Sequence, residues 1–104
     1  MVSTFDEHDG WDSYSRAALY LLSSPLLWRR VASYIDLPDH SIHFATMFDQ
    51  PWSTSEALLI RAAWSLYNPT ECEDHPALGV LAEKLDDENL ERLITAIRIK
   101  GGLA

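Results

Sequence analysis

Between Ala57 and Tyr67 only Arg61 and Ser65 are polar. At roughly 100° per residue in an α-helix, Thr54, Arg61, Ser65 and Asn68 fall on one narrow stripe and the rest of the circumference is apolar. Such a helix has to be covered on several sides. Its ends are written in the sequence as well. Ser53 followed three residues later by Glu56 is a capping box, in which the hydroxyl accepts the amide of the third helical residue and the carboxylate reaches back. Asn68-Pro69 stops the run, because a residue before proline avoids the α region. The pattern predicts a central helix over about residues 54–67.

Amphipathic stretches surround it. Tyr14, Ala17, Ala18, Leu21 and Leu22 share one helical face, with Asp12 or Ser13 as N-cap. Ser23 and Ser24 break that helix. Ser24 as cap and Pro25 at the first helical position open a second one, with Leu27, Val31, Tyr34 and Ile35 inward and its end before Leu37-Pro38. Residues 41–49 are ambiguous in period: Ile42, Phe44, Thr46 and Phe48 alternate as in a strand, while Phe44, Met47 and Phe48 fit a helical turn. No other strand-like run could pair with them, which favours a short helix or packed turn. Pro76 starts a further helix with Leu78, Leu81, Ala82 and Leu85 inward. Asp86 caps the last one, Leu85 staples onto Leu90, and Leu90, Leu93, Ile94 and Ile97 face the core. Gly101 is the expected left-handed residue after its end.

The elements sum to an all-α fold, a compact bundle of five to six short helices around the central apolar helix. Residues 1–10 lack apolar periodicity and read as an acidic flexible arm, and residues 11–104 as a single helical domain. At 104 residues one domain of roughly 13 Å radius of gyration is expected. Hydrophobic residues at 47% and charged residues at 23% exclude a disordered or collagen-like chain. One cysteine, Cys72, excludes an internal disulfide framework. No apolar run approaches the roughly 20 residues of a membrane helix, and an acidic start is unlike a signal peptide. A cytoplasmic protein is the expectation.

Charge narrows the partners. The net charge is −8, and the imbalance is local: residues 6–12 hold four acids and no base, and residues 71–91 hold eight acids and one base, Lys84. A surface of this sign repels nucleic acid and anionic lipid, since duplex binding displaces counterions with Lys and Arg. It could steer a basic partner. Helix starts account for much of it, because Asp86, Asp87 and Glu88 sit at a positive helix end with Arg98 and Lys100 at the negative one.

Candidate chemistry is sparse. His40 and His43, at i and i+3 with Asp36 and Asp39 upstream, are the metal candidates; surface histidines beside a turn are the plain alternative. Cys72 and His75 could form a thiolate pair, but Glu71, Glu73 and Asp74 around them raise a thiol pKa. The run Asp86-Asp87-Glu88-Asn89 lacks the alternating ligands and central Gly of a calcium loop. No glycine-rich phosphate loop opens a helix, so no cofactor is expected. Four tryptophans remain, Trp11, Trp28, Trp52 and Trp64. Trp28 stands beside Arg29 and Arg30, and Trp and Arg are the residue types enriched at binding hot spots.

Residues 52–68, together with Leu85-Asp-Asp-Glu-Asn-Leu90, resemble stretches of small bacterial helical proteins. That resemblance rests on capping and core residues, and it implies neither an activity nor a site. The function expected from the residues is a non-enzymatic protein–protein interaction module, with a homodimer as one form of it and Trp28, Arg29 and Arg30 in the contact. The alternative is an acidic inhibitor or nucleic-acid mimic seated on a basic protein groove.

Overall fold

Asp12 accepts the Ser15 amide at 2.8 Å and so opens the first helix, α1 (Ser13–Leu22). The structure, a computed structural model, describes residues 12–25, 27–36, 38–39 and 41–102; the expected N-terminal arm and Trp11 lie outside the described residues. After α1 come α2 (Trp28–Val31), a 3-10 turn (Ala32–Tyr34), β1 (Ile35–Asp36), β2 (Ser41–Ile42), α3 (Phe44–Phe48), α4 (Thr54–Tyr67), α5 (Leu78–Lys84) and α6 (Asp87–Lys100). Among the described residues, six helices and one tiny hairpin make an all-α bundle, with a radius of gyration of 12.6 Å.

The bundle is held by α1 and α4 together. Leu58, Leu59, Ile60, Ala62 and Ala63 of α4 are buried, as its apolar circumference demands. On one side of α4 lies α1, whose Ala17, Ala18, Leu19, Leu21 and Leu22 are fully enclosed. On another lies α3, through rings: Phe44 stacks on Trp64 at 5.7 Å and tilts against Tyr67 at 5.4 Å. The main contacts of α1 are with both α4 and α6, whereas α4 and α6 touch each other much less. The first helix is therefore the layer between the two longest ones.

The local signals at the helix starts act as their residues dictate. Ser53 and Glu56 form both halves of the capping box, with Ser53 N–H donating to Glu56 Oε1 at 2.9 Å. Asp86 accepts the Asn89 amide at 2.8 Å. The carbonyl end of α1 is closed from a distance. Arg92 on α6 donates Nη1 to the Tyr20 carbonyl at 2.9 Å and to Ser23 Oγ at 3.2 Å, with its guanidinium 4.8 Å from the Tyr20 ring centre. A cation there suits the negative end of the helix as well as its free carbonyls.

Five expectations are corrected. The second helix is only four residues long, because the Ser24 carbonyl first accepts the Leu27 and Trp28 amides in a turn. Its expected continuation instead pairs antiparallel with the next segment, Ile35 opposite Ile42 and Asp36 opposite Ser41. The 41–49 segment thus holds both a strand and a short helix, and the strand finds a partner inside the stretch that reads as helical. In α5, Leu78 and Ala82 are exposed while Leu81 and Leu85 are buried; the cap residue Ala77 offers no side-chain bond. In α6 the buried line is Asn89, Leu93, Ala96 and Ile99, so Ile94 and Ile97 face outward. Gly101 keeps right-handed helical backbone at φ −77°, and the left-handed residue is Gly102 at φ +77°, one position later.

Candidate functional site

Trp28, Arg29 and Arg30 occupy α2 and differ in what they meet. Trp28 is half-buried and packs on the core. Arg29 is exposed. Arg30 is engaged within the chain: Nη1 lies 3.2 Å from both Glu56 oxygens, Nη2 donates to the Pro51 carbonyl at 3.2 Å, and the guanidinium covers the Trp52 ring at 4.2 Å. Trp52 in turn donates Nε1 to the Met47 carbonyl at 2.8 Å. This cluster ties α2 to the start of α4. Glu56 carries it: the Ser53 amide, above all, holds its carboxyl below the usual range, against burial, and the Ser53 hydroxyl and Arg30 add to the effect.

The histidine and cysteine candidates separate in space. His40 lies outside the described residues. His43 is exposed, and its amide donates to the Tyr34 carbonyl beside the hairpin. Asp36 and Asp39 serve the hairpin turn, where Asp36 Oδ1 accepts the Asp39 amide at 3.0 Å and Asp39 accepts from Ser41 Oγ at 3.1 Å. Among the described residues no three metal-ligating side chains converge. Cys72 and His75 do not pair. His75 Nδ1 meets Ser65 Oγ at 2.7 Å, which fastens the 70–77 connection to α4. Cys72 is buried, with Sγ 3.9 Å from the Arg61 carbonyl. Burial, above all, pushes its thiol up, against the Asp74 amide and the Arg61 charge and with the Asp74 and Glu71 carboxylates, so the thiolate form is disfavoured.

Cys72 sits under a cleft of about 230 Å³ between Phe48, Arg61, Trp64 and residues 71–74. Three of its charged groups are engaged, although Arg61 Nε is buried without a hydrogen-bond partner. Arg61 pairs with Asp74 at 3.2 Å and lies 4.8 Å above the Phe48 ring, and Glu71 accepts the Trp64 indole N–H at 3.0 Å. Periodicity alone could not show these pairings, because each joins α4 to a loop or to α3.

The outward faces of α5 and α6 are different in kind. Of the five large hydrophobic side chains that are exposed among the described residues, four lie on these two helices: Leu78 at 76%, Val80 at 43%, Ile94 at 41% and Ile97 at 46%. Leu78 and Ile97 border a shallow groove of about 120 Å³, floored by Ala62, Leu66, Leu81 and Leu93. Charged residues follow on α6, where Glu91 and Arg98, on the other side of Ile94 from Ile97, are both exposed. Exposed apolar surface with a polar margin is what a docking surface presents to another polypeptide. Periodicity alone places Leu78, Ile94 and Ile97 inside, whereas the structure exposes all three. No helix among the described residues is long and apolar enough to cross a membrane. No family model, curated protein or solved structure matches the chain.

Proposed function

We propose that the protein is a non-enzymatic protein–protein interaction module that makes contact through the α5–α6 surface. The carrying observation is the concentration of exposed apolar side chains there: Leu78, Val80, Ile94 and Ile97 stand out of two successive helices, and Leu78 and Ile97 border a groove with an apolar floor. Burying such side chains is worth roughly 25 cal/mol per Å² of apolar area, which gives a partner a reason to bind there. Arg30 is held by Glu56 and Trp52, so the α2 residues have less to offer a partner than this surface does. The acidic-mimic reading has less support, because Asp86 caps α6, Asp74 pairs with Arg61 and Glu71 holds Trp64.

The test compares the immobilised chain with a Leu78→Asp/Ile97→Asp variant, both verified as folded by circular dichroism. The analytes are cell extract and the purified chain itself. Species retained by the wild type and lost with the variant support the reading. No retention, or retention indifferent to the variant, overturns it.

A further inference from the structure

We infer that the partner of this surface is a second copy of the chain, joined by antiparallel packing of the two α6 helices about a two-fold axis at Ile94. The inference rests on the interaction-module reading and names its partner. Ile94 stands on the side of α6 away from the buried line of Asn89, Leu93, Ala96 and Ile99. At about 100° per residue, Leu90 and Ile97 lie on one flank of Ile94, and Glu91 and Arg98 on the other. Each flanking pair is seven residues apart. A two-fold axis through Ile94 therefore sets Leu90 opposite Ile97 of the second copy, and Glu91 opposite Arg98 of the second copy. Each match holds to within one residue, about 1.5 Å along the helix.

The charges argue for a copy over an unlike protein. Glu91 and Arg98 are both exposed, and among the described residues neither has an ion-pair partner. Two turns of helix keep them from reaching each other. Opposite signs on one flank are complementary to their own antiparallel image, and symmetry forms the pair twice. The α6 dipoles also run antiparallel in this arrangement, with the acidic start at Asp87 and Glu88 near the basic end at Arg98 of the second copy. A contact built on two 14-residue helices belongs with interfaces below about 1,200 Å² and so with weak, exchanging dimers.

Sedimentation equilibrium of the full chain tests this. The wild type is expected to show a concentration-dependent monomer–dimer equilibrium. Glu91→Arg and Arg98→Glu each set like charges face to face, and each is expected to weaken the dimer by at least about threefold. The double reversal restores the match and brings the dimer back toward wild-type strength, a recovery that a merely structural role would not give. These positions are exposed, and circular dichroism is the check that the variants fold. A wild type that stays monomeric up to about 1 mM, or a dimer indifferent to the reversals, overturns the inference. If that monomer still retains another protein in a Leu78- and Ile97-dependent way, the module reading stands alone. If it retains nothing, both fall.

Discussion

Glu56 gathers three jobs in one carboxylate: it closes the capping box with the Ser53 amide, pairs with Arg30 and, almost fully enclosed, fixes α2 against the start of α4. Removing it separates those jobs. Glu56→Ala takes away the return bond and leaves Arg30 unpaired, for a loss of about 1–2 kcal/mol in urea unfolding. Glu56→Gln keeps a side chain able to cap and loses only the charge, for less than about 1 kcal/mol. The pH dependence has a definite sign. A carboxyl whose folded pKa is lowered stabilises fully above its unfolded value, about 4.3, and the stabilisation drains as pH falls through the lower folded value. The stability gap between wild type and Glu56→Gln should be flat from neutral pH down to about 5 and shrink below that. A gap that grows on acidification would contradict the assignment.

The helix α6 shows how an element can be legible in its ends and not in its orientation. Its start is local chemistry, Asp86 meeting an amide three residues away, and the same holds for Ser53 and Glu56 in α4; such signals need nothing beyond the neighbouring residues. Which stripe turns inward depends on what the helix packs against. Leu90, Leu93, Ile94 and Ile97 make the better apolar stripe, yet α6 lies on α1 through the line that includes Asn89 and Ala96. Asn89 is accepted there because Ser24 donates to it at 3.4 Å, and Ala96, like Ala17 and Ala18 of α1, is small and fully enclosed, which lets two helix backbones come close. The hairpin was hidden for a similar reason, since Ile35 is a strand residue only in the presence of Ile42. The α2 cluster was half-visible: the residue types at Trp28 and Arg30 stood out, whereas Glu56, 26 positions further on, could not be read as a partner of Arg30. Thermal or urea unfolding discriminates the two faces of α6. Leu93→Ala is expected to lose about 2–4 kcal/mol, and Ile97→Ala, already half in water, under about 1 kcal/mol.

At the scale of the whole molecule, α1 is the shared wall on which α4 and α6 both depend. Leu19→Ala, a truncation at a fully enclosed position, should cost about 2–5 kcal/mol and raise amide exchange in α4 and α6 together, because neither has enough contact with the other to stay protected alone. The helix α5 stands apart, with Leu81 as its one buried residue and no side-chain cap. Its amides should exchange through local opening, faster than those of α4 in the wild type and little changed by Leu19→Ala; equal protection in α4 and α5 would refute that order. The Arg92 bond to the Tyr20 carbonyl carries a consequence for the chain as it is being made. The residue that completes α1 is 72 positions downstream, on a helix the ribosome delivers long after α1 has emerged. Until those residues have been added and α6 is free of the exit tunnel, the carbonyl end of α1 lacks this donor, and the native arrangement there cannot lock.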